Sequence, residues 1–242
     1  MINHFILAAA SIFVLLCGSA GAAPIPELDS CNRLYHDGSY EQAIACYEAI
    51  GTSPELLFNI GNSYAQMGRH GYAVLFYLRA LCLSPNDADI RTNLAHIRKE
   101  NSLFPPEPSV TDQVFGALNI SQWSYLCLAV LVLYLVFLLT GLLRRRSRVT
   151  IGSVTIGCLL LLALGCAGAW YHYDQWQRSV VVADDKLLLS PFAKSESIGA
   201  IGQGKLVTPH KTYGEYVYVT DETGRKGWLH EKSRVPILPN KK

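Results

Sequence analysis

Two apolar runs with a basic knot between them constrain this 242-residue chain more than any other feature. Residues 123–143 contain no Asp, Glu, Lys or Arg, and neither do residues 149–171. Each run is about 20 residues long, which at about 1.5 Å per residue crosses a hydrocarbon core of about 30 Å. Between them stand Arg144, Arg145, Arg146 and Arg148. Basic residues in a short loop between two spans are retained on the cytoplasmic side. The pattern therefore predicts a helical hairpin, with spans 123–143 and 149–171 and an inner loop 144–148, whose two flanking regions share the opposite face. The competing reading is a pair of core helices in a large soluble domain, but such helices are usually amphipathic and rarely run this long without a charge.

Aromatic placement agrees with the hairpin. Trp123, Tyr125, Trp170, Tyr171 and Tyr173 gather at the ends assigned to the outer face, where amphipathic rings are favoured. Small residues at Gly165, Cys166, Ala167, Gly168 and Ala169 predict close approach of the second helix to the first. With no acidic or basic side chain inside either run, the hairpin reads as an anchor rather than an ion pathway.

The amino terminus fits the same orientation. Residues 5–16 form an apolar stretch of signal-peptide length, and Ala20-Gly21-Ala22 matches a small-x-small cleavage pattern, so residues 1–22 are expected to be a signal peptide processed after Ala22. The preceding Met1-Ile2-Asn3-His4 carries no Lys or Arg. Uncleaved, the segment would become an anchor that still exports residues 23 onward.

Cysteine usage is compatible with export. Cys17 falls in the signal and Cys127, Cys158 and Cys166 in the apolar runs, which leaves Cys31, Cys46 and Cys82 in the first arm. An oxidising space permits one bridge among these three and leaves one thiol over. No CxxC or HExxH spacing exists and the seven His are scattered, so neither metal nor cofactor is expected. The net charge of +2 hides a split. Residues 23–118 hold six Lys/Arg against eleven Asp/Glu, a balance of −5, and residues 172–242 hold eleven against eight, a balance of +3. Neither arm carries the basic stripe of a nucleic-acid binder.

Residues 54–87 read as one unit of P-x-x-L-x-x-I-G-x-x-Y, then G-x-x-x-x-A-x-x-x-Y-x-x-A, then Pro85. This resembles the tetratricopeptide repeat. Leu57, Ile60, Gly61 and Tyr64 share a face of one helix, and Ala73, Tyr77 and Ala80 a face of the next. Residues 38–47 repeat the second half, and residues 88–100 repeat a first helix that would cap the stack. The resemblance implies an α-helical solenoid over residues 23–103 that binds an extended or helical peptide. Its groove positions here are Asn59, Asn62, Gln66 and Asn93, whose carboxamides can both donate and accept. The alternative is a solvated polar face. On the paired helices of the first unit, Cys31 and Cys46 can meet in a disulfide, or stand as two semi-buried thiols.

A spacer follows over residues 104–122. Pro105, Pro106 and Pro108 favour extended chain, and Val114, Phe115 and Leu118 at helical spacing suit the membrane interface. After a short linker, 172–179, the period becomes that of strands. Val180-Val181-Val182, Leu187-Leu188-Leu189, Tyr216-Val217-Tyr218-Val219 and Gly227-Trp228-Leu229 are separated by turn signals. With Ser190-Pro191 and Ile201-x-x-Gly204-x-x-Val207, these residues resemble bacterial SH3 domains. A small all-β barrel is thus expected over residues 180–238. Trp228 is read as core in preference to binding surface, and Tyr213 and Tyr216 as exposed candidates for a partner face.

The order of signal, repeat arm, proline spacer, hairpin with basic inner loop and terminal β module resembles BatE-like proteins of the Bacteroides aerotolerance operons. The Asn119-Ile120-Ser121-Gln122-Trp123 approach to the first span has the look of that family too. This resemblance implies a two-pass protein of the bacterial inner membrane with both ends periplasmic. It also implies membrane-anchored partners with von Willebrand A domains and a role in envelope or oxidative-stress tolerance. The Ser, Cys and His positions form no known catalytic motif, so a non-enzymatic scaffold is expected. The alternative is a tether whose SH3-like module binds peptidoglycan.

Overall fold

The computed structural model describes residues 26–103, 109–143 and 147–238. Residues 1–22, expected to be a signal peptide, the three spacer prolines and Arg144, Arg145 and Arg146 lie outside the described residues. Within them are eight α-helices, two of them long and apolar enough to cross a membrane, and one seven-stranded antiparallel sheet.

The first five helices are α1 (Pro26–His36), α2 (Tyr40–Ile50), α3 (Pro54–Gln66), α4 (His70–Leu83) and α5 (Ala88–Glu100). Turns of three or four residues join them, so each packs against the next. Local chemistry sets the boundaries. Ser53 caps α3 by accepting from the Leu56 amide at 3.2 Å, with Pro54 in the first turn, where its missing N–H costs nothing. Asp87 accepts from the amides of Asp89 and Ile90 to start α5. Gly38 and Gly68, thirty residues apart, leave α1 and α3 at φ of +76° and +71°, a conformation that disfavours a Cβ. Cys31 and Cys46 are joined by a disulfide between α1 and α2.

A short helix, α6 (Val110–Phe115), leads to the hairpin and takes in Val114 and Phe115 but not Leu118 of the three apolar residues at helical spacing. Ser109 and Asp112 close a reciprocal capping box at its start. The hairpin is α7 (Ile120–Leu143) and α8 (Arg148–Trp176), with Ser147 capping α8. Gly165 packs directly on Cys127, and Gly168 on the Trp123 indole, so a methyl group at either glycine would overlap its neighbour. Near the other end the Tyr134 and Thr155 hydroxyls lie 2.9 Å apart. α8 runs five residues past the apolar stretch, which shortens the expected linker to Gln177 and Arg178.

The strands are β1 (Ser179–Val181), β2 (Asp185–Leu188), β3 (Ser197–Ile201), β4 (Leu206–Tyr213), β5 (Tyr216–Asp221), β6 (Lys226–His230) and β7 (Arg234–Pro236), in the order β3-β2-β6-β5-β4-β1-β7. The sheet is open, with β3 and β7 as its edges, where a closed barrel was expected. The reason lies in β1 and the segment after β7, which turn apolar residues away from the sheet. Val181 joins Leu187, Ile201, Val207, Val217, Val219 and Leu229 in the sheet's own core. Val180, Val182 and Ile237 instead join the core of the helical arm with Val74 and Phe76. The unbroken Val180-Val181-Val182 run is therefore buried on both sides, as a strand between two packing layers must be.

This seam joins the five-helix arm and the sheet into one packed body. The Arg79 guanidinium donates from Nε to the Ile237 carbonyl at 2.8 Å and from a terminal nitrogen to the Pro236 carbonyl at 3.0 Å. The Gly71 amide donates to Gln203 Oε1 at 3.2 Å. A Cβ on Gly71 would lie 2.7 Å from backbone atoms of Val181 and Val182, so only glycine admits this approach. Burial pushes the Glu222 carboxyl up and the Arg98 guanidinium down, and the charge of each partly offsets the shift of the other.

Candidate functional site

Two surfaces carry the sequence candidates. The first is a groove between α3 and α5. Asn62, Gln66 and Asn93 line one cavity of ≈ 410 Å³ there, together with Tyr77, His96 and Glu100. Asn59 does not join them. It lines a separate depression of ≈ 560 Å³ with Phe58, Asp87 and Asp89.

The carboxamides are also less available than sequence reasoning implies. Asn62 Oδ1 accepts from the Tyr77 hydroxyl at 2.7 Å and from Asn93 Nδ2 at 2.9 Å. Both acceptor positions of that oxygen are thus occupied from within the fold. Asn62 can offer a partner its amide N–H groups, but not its carbonyl. Burial pushes the Tyr77 hydroxyl up to about 12, so it stays a neutral donor at any physiological pH.

The same unit occurs one repeat earlier, and sequence reasoning missed it. The Tyr47 hydroxyl donates to Asn32 Oδ1 at 2.8 Å, at the same fifteen-residue separation as Tyr77 and Asn62. Aligning the two helical pairs at a thirty-residue offset superposes Asn32 on Asn62 and Tyr47 on Tyr77. That offset also puts Cys31 on Gly61 and Cys46 on Phe76. In the inner pair, Gly61 is pressed against the Tyr77 ring. In the outer pair, whose α1 has no preceding described helix to pack on, a covalent bond spans the equivalent positions.

The second surface is the outer face of β4, β5 and β6. Pairing sets Tyr216 opposite His230, Tyr218 opposite Trp228, and Lys211 opposite Tyr218. The Tyr218 and Trp228 rings lie 5.3 Å apart, and the Lys211 ammonium sits 5.3 and 5.4 Å from their centroids, within cation–π range.

Two sequence expectations are corrected here. Trp228 is not core. Strand alternation sends Gly227 and Leu229 inward and Trp228 to the opposite face, half-buried beside Tyr218. Gly227 is tightly enclosed, since a Cβ there would lie 3.1 Å from Ile198, Leu187 and Leu188. Tyr216 is not exposed either. It keeps 8% of its surface because the His230 ring covers it at 4.4 Å. Tyr213 is exposed at 57%, edge-on to Phe192 at 6.1 Å.

Asp221 organises the turn beside this face. It is buried and accepts from the Thr223 amide and hydroxyl, the Arg225 amide and the Arg225 Nε. Burial pushes its carboxyl up, but these bonds and the Arg225 charge outweigh that and hold it below the usual range. Of the four basic residues in the hairpin loop, only Arg148 is described; it opens α8 and is exposed. No protein-family model, curated protein or solved structure matches the chain.

Proposed function

We infer that this chain is a non-enzymatic scaffold of a bacterial inner membrane, anchored by α7 and α8, with its tetratricopeptide-like arm and SH3-like module together on the periplasmic side. One observation carries the reading. The arm before the hairpin and the module after it share a core and the Arg79–Ile237 contact. Two segments on either side of a two-helix anchor can pack this way only from one face of the membrane. A basic loop held inside by Arg144, Arg145, Arg146 and Arg148 is consistent with that face being the outer one.

The groove between α3 and α5 is then the partner site, lined by Asn62, Gln66 and Asn93. The resemblance to BatE-like proteins points to membrane-anchored partners with von Willebrand A domains and to envelope or oxidative-stress tolerance. Affinity capture of the full chain from detergent extracts, followed by mass spectrometry, tests this. Recovery of A-domain membrane proteins that falls with Gln66→Arg supports the reading; recovery unaffected by that change counts against it.

A second reading, a peptidoglycan tether, is favoured by the Lys211–Tyr218–Trp228 row, because neighbouring aromatic rings beside a cation suit an anionic sugar polymer. Cosedimentation of the full chain with purified wall, with and without Trp228→Ala, separates the two. The full chain is required because the isolated module would expose Val180, Val182 and Ile237.

A further inference from the structure

Past the end of α8 the chain runs on into β1 without doubling back, and α4 measures this. Near the start of α4, Gly71 packs on the backbone of Val181 and Val182. In its middle, Arg79 bonds the carbonyl of Pro236, which pairs with Ser179. Near its end, Leu81 and Cys82 share a depression with Gln175 and Trp176. From Gly71 to Cys82 is eleven residues of one helix, about 16 Å. α4 therefore retraces the path from Val182 back to Gln175, and the end of α8 and β1 lie in line. β4 also runs back along this path. It pairs antiparallel with β1, Val207 opposite Ser179, and its continuation over residues 209–212 borders a pocket shared with Gln177 and Trp176.

Heights above the membrane follow from these runs. Tyr171 ends the charge-free stretch, and Trp176 lies five residues further along α8, about 7.5 Å. Ser179 is three residues beyond that, about 10 Å of extended chain, so it stands about 17 Å above the hydrocarbon edge. The ladder from Val207 to Tyr213 is one step shorter than the residue count because of the bulge at His210. Its five steps of about 3.3 Å descend about 16 Å. The end of β4 thus returns to the headgroup layer, which extends about 5–8 Å beyond the hydrocarbon.

Two exposed rings meet at that end. Tyr213 and Phe192, exposed at 57% and 58%, lie edge-on with centroids 6.1 Å apart. Phe192 is held in a closed turn: the Ser195 amide donates to its carbonyl at 2.9 Å, and the Ser190 amide to Ser195 Oγ at 2.9 Å. Glu215, exposed on the adjoining turn, keeps the tip from sinking below the headgroups.

We propose that the Phe192–Tyr213 pair seats in the headgroup layer of the leaflet from which α8 emerges, a second foothold that holds the packed body down on the membrane. Amphipathic rings are favoured at this depth, and the same bilayer that the hairpin crosses lies within their reach. The proposal rests on the reading of α7 and α8 as membrane spans, but not on any protein partner. The rings seat by their apolar surface, so a zwitterionic bilayer suffices.

The test uses the full chain in phosphatidylcholine nanodiscs that contain lipid with a nitroxide on its headgroup. A fluorophore is attached to Ala193→Cys, beside Phe192, or to Lys226→Cys, at the far end of the sheet. The Cys31–Cys46 bond is kept and the other thiols are replaced by alanine. The probe at 193 should be quenched and the probe at 226 should not. Adding Phe192→Ser and Tyr213→Ser should abolish the quenching at 193; both side chains are exposed, so the fold does not depend on them. Equal quenching at the two positions, or quenching at 193 that survives loss of both rings, would overturn the proposal. So would an unquenched probe at 193 in a chain that has entered the discs, which would leave the pair free for a soluble partner. Failure to enter nanodiscs at all would overturn the span reading, and the foothold with it.

Discussion

Arg79 reaches from the middle of α4 to the carbonyl of Ile237, 158 residues later, at 2.8 Å, and its guanidinium carbon lies 5.2 Å from the Phe76 ring centroid. Arg79→Ala should leave the Ile237 and Pro236 carbonyls without this donor at a buried seam. A hydrogen bond to a charged group contributes about 1.5–3 kcal/mol, so the β7 edge should loosen from α4. Amide hydrogen exchange over residues 234–238 measures it. Faster exchange there, with α1 and α2 unchanged, is expected; unchanged protection would mean that Arg79 does not hold the seam.

Gly71→Ala attacks the same seam by size. The new methyl would meet the backbone of Val181 and Val182 at 2.7 Å, and backbone cannot swing aside as a side-chain tip can. Overpacking of this kind costs about 1–3 kcal/mol. Gly152→Ala is the control, because a Cβ there meets nothing within 4 Å. Thermal melts of the two variants in detergent should differ, with only Gly71→Ala lowered.

Reduction of the Cys31–Cys46 bond should act on the outermost helical pair. The bond joins residues fifteen apart, and closing a loop of this size is worth about 3 kcal/mol on the chain-entropy account. Limited proteolysis under reducing conditions is expected to cut first within α1 and α2, with α3 to α5 surviving. Uniform digestion across all five helices would contradict this.

Much of this fold was legible because its signals are local. Hydrophobic length gives α7 and α8, Pro54 and Gly68 bound α3, and strand alternation gives β5 and β6. Residues that depend on distant partners were not legible. Nothing near Val180 in the sequence announces α4, so the open sheet and the shared core were missed. Tyr216 looked exposed because its cover, His230, arrives from the next strand. Trp228 looked like core because an aromatic between two inward residues carries no label for its own face; the strand period alone assigns it. Within the groove, residue type identified Asn62 but could not reveal that Tyr77 and Asn93 already occupy its oxygen.

Acid should weaken the turn held by Asp221. Its folded carboxyl lies below its ordinary value of 3.8, so its contribution is complete above that value and is lost as pH falls through the folded one. Asp221→Asn should lower the melting temperature at pH 7 and flatten its dependence on pH below about 4, since the titrating group is gone. An equally steep acid limb in the variant would show that other carboxylates govern it.

Site-specific labelling in cells tests most directly whether both arms share the outer face. Single cysteines at Gln42 in α2, Thr212 in β4 and Arg146 in the loop, each in a background without other reactive thiols, would be exposed to a membrane-impermeant maleimide that enters the periplasm. Gln42→Cys and Thr212→Cys should label in intact cells, and Arg146→Cys only after lysis. Labelling of Arg146→Cys in intact cells, or protection of either arm until lysis, would contradict it.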